Sequence, residues 1–294
     1  MQLRKNQIPA LEEGIKYFNE KKPKPALIVA PVAFGKSLVI SKLAHESEES
    51  IIVLQPSKEL LEQNYSKLIA MGGEASIYSS SMGKKEIGCI TYATIGSIKN
   101  IPLKFKEMGF KRIIIDEADR YPRESSGMLR KFLDAAKISW VLGFTATPLK
   151  LQTNTDYFTG LTYSKMVMLT TRNKTGTFYK DILHISQIKE MIENEYWSKL
   201  IYETFPFDKT KLVYNTTRAE FTEESLKKTY EDQEIGRKIE DYIANSDRKS
   251  ILVAVPSVAE AQRLASRVPN SEAVWGTMNK KDRARIIEDF KCLK

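Results

Sequence analysis

The stretch ALIVAPVAFGKS, residues 26–37, decides the fold. It opens with small, apolar and β-branched residues and passes through a proline into Gly-Lys-Ser, the order of a buried strand that runs into a loop and then into a helix. In that setting the N–H groups of the loop and of the helix N-terminus converge, the helix dipole adds positive potential, and a polyphosphate is the natural occupant. Lys36 is then suited to the terminal phosphates and the Ser37 hydroxyl to Mg²⁺, with Ala33, Phe34 and Gly35 forming the loop between. Ala30 and Ala33 stand where such loops often carry glycine, and a single methyl leaves room for phosphate. A helix start with an accidental Gly-Lys-Ser is the bland alternative, so the segment needs partners elsewhere in the chain.

Working outward, the same alternation recurs. IIVLQ (51–55), CITY (89–92), RIIID (112–116) and WVLGFT (140–145) are short apolar runs separated by amphipathic stretches. Strands buried on both faces of a parallel sheet read this way, so residues 1–150 are expected to form a doubly wound α/β unit. Residues 151–165 are rich in threonine without periodicity and read as a linker. Beyond it, MVMLT (166–170), KLIYETF (199–205), KLVYN (211–215), SILVAV (250–255) and EAVWG (272–276) are expected strands. Glu231–Asn245, a stretch with Val258 and Leu264 inward, and residues 279–290 are expected helices. A second α/β domain over residues 166–294, short of strands, is the expectation.

IIIDEAD (113–119) supplies the partner that the loop requires. Asp116 and Glu117 fall at the end of a buried strand, where open α/β sheets bind their ligands. Asp116 is suited to Mg²⁺, which favours oxygen and keeps part of its water shell. Glu117 is suited to orient and deprotonate an attacking water. An acidic helix N-cap would look similar in isolation, but metal–triphosphate chemistry needs this pair and the upstream loop together.

GFTATP (143–148) then places Thr145 and Thr147 at a further strand end, which a generic nucleotide hydrolase does not need. This order of motifs resembles superfamily 2 helicases. The resemblance implies ATP and Mg²⁺ as cofactors and a RecA-like (P-loop NTPase) α/β fold, followed by a second, incomplete RecA-like domain. It identifies LRKNQ (3–7) with the element whose glutamine, here Gln7, recognises adenine, with Arg4 nearby. PSKELLEQ (56–63) and TYATI (91–95) resemble elements that touch the nucleic-acid backbone, through Pro56, Ser57, Thr91 and Thr94. Asp119 is implied to couple hydrolysis to movement by contacting the Thr145–Thr147 segment. ILVAVPSVAEAQRLA (251–265) resembles the strand and helix that open the second motor domain, with Ser257 at the nucleic-acid face, and WGTMNKKDRARIIEDFK (275–291) resembles the next element. TATP and ISQIKEMIENEYWSKL (185–200) are most similar to the branch that includes XPB, RecG, phage UvsW-type enzymes and type III restriction motor subunits.

That branch points to double-stranded or branched DNA in preference to RNA. The Gly-x-Asp and Gln-x-x-Gly-Arg segments that continue the pattern do not occur in the sequence, so a truncated chain that hydrolyses ATP poorly by itself is expected. Two alternatives stay open: a motor subunit of a restriction or remodelling complex that does not separate strands, and an RNA helicase of the DEAD-box type. A small-molecule kinase is disfavoured by TATP and by the second α/β domain.

Composition is consistent with this reading. Forty-six Lys and Arg against 37 Asp and Glu give a net charge of +9, mixed along the chain, which suits a polyanionic partner. Cys89 and Cys292 are too far apart in sequence for a disulfide scaffold, and no Cys/His spacing suits zinc. The N-terminus lacks the apolar core of a signal peptide, and no apolar run approaches the roughly 20 residues of a membrane span. A cytoplasmic monomer of a bacterial or phage-infected cell is expected. His45, His184, Trp140, Trp197 and Trp275 fall in no catalytic motif and read as surface, packing or interface residues.

Overall fold

Side chains leave alternate faces of a strand, so a run of apolar residues can feed two cores at once. Ile28, Ile51, Val53, Ile114 and Leu142 pack into one cluster with Leu11, Val39, Leu43, Leu61 and Leu68. Their neighbours Leu27, Ile52, Leu54, Ile113, Ile115 and Val141 pack into another with Ile98, Phe105, Leu129 and Phe132. This period of two, with both faces apolar, is why the segments form a sheet between two helical layers.

The computed structural model describes residues 2–121, 127–170 and 177–292. In chain order the strands are β1 (Ala26–Val29), β2 (Ile51–Leu54), β3 (Ser76–Ser79), β4 (Lys84–Lys85), β5 (Ile90–Ala93), β6 (Arg112–Ile115), β7 (Trp140–Thr145), β8 (Leu149–Thr155), β9 (Thr162–Met168) and β10 (Asp181–Ile185). Eight form one sheet in the order β10-β1-β7-β6-β2-β5-β3-β4. It is parallel except where β4 turns back along β3. This is the expected RecA-like α/β architecture. Helices α1 (Ile8–Phe18), α2 (Lys36–His45) and α3 (Lys58–Ala70) feed the first cluster. Helices α4 (Ile95–Ile98), α5 (Pro102–Glu107) and α6 (Met128–Ala136) feed the second. Tyr17 on α1 fastens that layer to β7: its hydroxyl accepts the Val141 N–H at 2.9 Å and lies 2.9 Å from the Lys24 carbonyl, to which it donates.

The chain divides into two compact units, Met1–Leu151 with Met166–Ile201, and Gln152–Lys165 with Tyr202–Lys294. The expected second domain began at residue 166, whereas the chain returns to the first sheet after β9. Asp181–Ile185 pairs in parallel with β1, and helix α7 (Ile188–Glu193) follows it. DILHI carries an acid and a histidine, and an edge strand with a partly wet face tolerates both. That composition hides it from a search for apolar runs.

In the second unit the three expected helices form, as α9 (Ile235–Ala244), α10 (Val258–Arg267) and α11 (Lys280–Lys291), and they are preceded by α8 (Glu223–Asp232), which was not expected. Arg263 of α10 ties to α9 through Glu240 at 2.8 Å. The expected strands at 199–205, 211–215, 250–255 and 272–276 do not form among the described residues, where the only pairing nearby is an isolated bridge between Tyr214 and Phe221. Leu252, at the centre of one of these runs, is 88% exposed. A strand is stabilised by a hydrogen-bonded neighbour, and apolar content without one does not make a strand. The expected strand MVMLT forms in part: Met166–Met168 are the end of β9, which pairs with β8 as a two-stranded ribbon whose side chains are mostly exposed.

Candidate nucleotide site

The parallel register lines up the functional segments. Val29 stands opposite Thr145, Ile115 opposite Gly143, and Leu54 opposite both Ile115 and Ala93. Residues 30–37, Pro56–Ser57, Thr94, 116–119 and 145–147 therefore all leave the sheet along its carboxyl edge, where open α/β sheets place their ligands. The ladder runs one residue past the strands: Ala30 N–H donates to the Thr145 carbonyl at 2.9 Å, and Asp116 N–H to that of Leu54 at 3.0 Å.

Gly35 is the N-cap of α2 at φ 89°, in the left-handed region, and a Cβ there would collide with Gln7 Nε2. The left-handed φ calls for glycine, and a Cβ would in addition push Gln7 Nε2 away from the loop. Ala33, at φ 60°, is also left-handed. The two turns are held by the N-terminal element. Gln7, only 2% exposed, donates Nε2–H to the Phe34 carbonyl at 2.6 Å, and the Arg4 guanidinium donates to the Ala33 carbonyl at 3.2 Å. The Arg4 backbone N–H donates to Gln7 Oε1 at 2.8 Å. Gln7, identified with adenine recognition, and Arg4 beside it thus brace the loop from its carbonyl side, leaving its N–H groups for the other side.

Helix α2, like α1, α4, α5, α6, α7 and α9, begins without a side-chain cap, and what sets its start apart is the Lys36–Glu117 pair beside it. An uncapped helix start behind a left-handed turn fits an anion.

Lys36 and Glu117 meet there, Nζ to Oε1 at 3.0 Å, with side chains 12% and 28% exposed. Glu117 reaches the loop because its backbone adopts φ 49°, ψ 55°, a left-handed conformation that costs a non-glycine residue roughly 1–2 kcal/mol. Asp116 is buried at 4% exposure. It accepts from Asn64 Nδ2 and from the Glu117 N–H, both at 3.0 Å. Burial and then the Glu117 charge push the Asp116 carboxyl above the usual carboxylate range, against the pull of Lys36 and these two hydrogen bonds. Lys67 of α3 donates to Ser37 Oγ. Its ammonium is destabilised by burial and partly restored by the Asp116 charge. Ser37 and Asp116 therefore form an oxygen-only donor set that already draws a cation. Such a set fits Mg²⁺, which takes few protein ligands and completes its shell with phosphate and water.

Asp119 touches the last residue of β7, which in turn holds the segment that follows. Thr145 Oγ1 donates to Asp119 Oδ1 at 2.6 Å and accepts the Thr147 N–H at 3.0 Å. Pro56 and Ser57 lie half-buried at the start of α3, and Thr94 at the start of α4, where its hydroxyl pairs with Ser97 at 2.9 Å.

Thr91 is a correction. It is fully buried near the start of β5, and its hydroxyl donates to the Gly88 carbonyl at 2.7 Å, so it faces the protein interior and not a bound strand. Ser257 belongs to the other unit, where it caps α10 by accepting the Glu260 N–H at 3.2 Å.

Sequence reasoning missed Asn64 and Lys67. The available signal was Asn64, a polar residue in the apolar stripe Leu61–Asn64–Leu68, a position that demands a buried partner.

The family profile of the type III restriction enzyme res subunit matches residues 1–150. Among solved structures the chain is similar to a nuclease-deletion mutant of the Type ISP restriction-modification enzyme LlaGI in complex with a DNA substrate mimic, with 17% identity over 68% of this chain and 21% of that one and a TM-score of 0.44. It is similar to the UvsW helicase from bacteriophage T4, with 13% identity over 63% and 60% of the two chains and a TM-score of 0.43. A third is the Sulfolobus solfataricus SWI2/SNF2 ATPase core in complex with dsDNA, with 21% identity over 50% and 32% and a TM-score of 0.41. The chain thus spans between about a fifth and three fifths of these proteins' lengths. Among curated proteins, none matches the chain.

Proposed function

The chain belongs to the family of the type III restriction enzyme res subunit, whose members are helicase-like ATPase motors, and we propose that it binds Mg²⁺–ATP at residues 30–37 and hydrolyses it to move along or remodel DNA. The observation that carries this reading is the meeting of Lys36 and Glu117, 81 residues apart in sequence, beside Ser37 and Asp116. A catalytic ammonium and a carboxylate next to an uncapped helix start are the parts that phosphoryl transfer to water requires.

In this reading Lys36 turns from Glu117 to the phosphates as they enter, which frees the carboxylate to orient a water and accept its proton. Ser37 and Asp116 would hold Mg²⁺, which when bound would supply Lewis-acid stabilisation of the phosphate oxygens. The Asp119–Thr145–Thr147 hydrogen bonds carry the change at the acidic strand end to the segment after β7. Pro56, Ser57 and Thr94 lie on the same sheet edge and suit contacts to a phosphate backbone; for Ser257, which caps α10 in the second unit, the same role rests on the sequence resemblance alone. Such contacts do not read bases, so binding should be independent of sequence and weaken as salt rises. The first unit is then the ATP-binding domain, and the second carries the remaining motor elements.

The test is calorimetric ATP binding beside phosphate release with duplex DNA, forked DNA and single-stranded RNA. Lys36→Ala should lose ATP binding, and Glu117→Gln should keep it while losing turnover. Full turnover in either variant, or greater stimulation by RNA than by either DNA, would overturn the corresponding part. The family match to a restriction subunit favours one further reading, a motor that moves along duplex DNA without separating strands. Translocation without strand displacement would support it.

A further inference from the structure

Residues 186–197 lie outside the part matched by the family profile, yet they flank the first half of the phosphate loop. Ser186 N–H donates to the Val29 carbonyl at the end of β1, at 2.9 Å. Met191, fully buried in the first core cluster, anchors the middle of the segment, and its carbonyl accepts the N–H groups of Tyr196 and Trp197 at 2.8 and 2.9 Å. That corner delivers two aromatic rings to the loop. Trp197 Nε1–H donates to the Val32 carbonyl at 3.0 Å, and the Tyr196 ring lies under the Arg4 guanidinium, 4.6 Å from centroid to Cζ.

Arg4 is therefore fixed in two ways, by its hydrogen bond to Ala33 and by a ring against one face, while the residue as a whole stays exposed. A guanidinium is planar and stacks on either face. With one face backed and its edge tied to the loop that leads to Lys36, the remaining surface suits a second flat ring. We propose that the Tyr196–Trp197 corner completes the base end of the nucleotide site: Tyr196 backs Arg4 so that a purine can stack on it, and Trp197 sets the loop. This inference rests on the reading of residues 30–37 as an ATP site. Tyr196 is a positioning residue, since it acts through Arg4.

The test compares ATP with inorganic tripolyphosphate, which has the charge but no base, by calorimetry on the full chain. Tyr196→Leu keeps bulk and removes the π face. It should weaken ATP about fivefold, the scale of one exposed cation–π contact, and leave tripolyphosphate unchanged. Tyr196→Phe should restore ATP binding, and Trp197→Phe should weaken both ligands. If wild type binds both ligands and Tyr196→Leu weakens neither or both alike, or tightens ATP, this proposal falls and the ATP site stands. If wild type binds neither, the ATP site itself falls and takes the proposal with it.

Discussion

Replacing Thr145 by valine tests the link between the acidic strand end and the segment after β7. The substitution keeps shape and removes one hydroxyl, which lies at a fully buried residue, donates to Asp119 at 2.6 Å and accepts the Thr147 N–H at 3.0 Å. A hydrogen bond to a charged acceptor contributes about 1.5–3 kcal/mol and a neutral one about 1 kcal/mol. Asp119 is half-buried and Thr147 exposed, so water recovers part of both losses. A net destabilisation of about 2 kcal/mol follows, which for a unit of this size lowers Tm by about 4–8 °C. ATP affinity should change less than about twofold, because the loop is joined to Thr145 through its backbone carbonyl. Thermal unfolding followed by near-ultraviolet circular dichroism reads the first effect, and the ratio of DNA-stimulated to basal ATP hydrolysis reads the coupling, which should fall. Thr145→Ser, which keeps the hydroxyl, should recover most of both. Valine as stable and as well coupled as wild type, or serine as impaired as valine, would refute the role given to this hydroxyl.

Two further outcomes are expected. Lys67→Met removes the ammonium that sits on Ser37 Oγ and feels the Asp116 charge, so Mg²⁺ titrated in the presence of ADP should bind more tightly; weaker binding would show that Lys67 helps to hold phosphate. Tyr17→Phe strands the buried Val141 N–H and should cost about 1–3 kcal/mol in urea unfolding, with ATP affinity preserved; unchanged stability would mean that β7 finds another acceptor.

The apolar runs that became β1, β2, β5, β6 and β7 were legible because a strand buried on both faces has nowhere to put a polar residue. Their order in the sheet was not, yet the shared edge follows once all are parallel, which is why Lys36, Asp116 and Glu117 could be grouped from motifs alone. What escaped notice depends on pairing. Asp181–Ile185 became a strand through its neighbour β1 and not through its composition, while SILVAV and EAVWG have the composition and no neighbour among the described residues. Thr91 shows the limit of reading a motif as a contact: TYATI does reach the sheet edge, but only Thr94 leaves it, because the register of β5 holds Thr91 three residues further back. Lys67 left no trace in any motif, since its place depends on how α3 packs beside α2.

The left-handed backbone at Glu117 sets stability against chemistry at one position. Glycine would sit there without steric strain and would relax the turn, so a library screened for heat resistance alone is apt to accept it, together with the loss of the only carboxylate that touches Lys36 among the described residues. Hardening this protein for use at high temperature therefore has to proceed at positions remote from the turn, because at residue 117 the most comfortable occupant is one without a carboxylate.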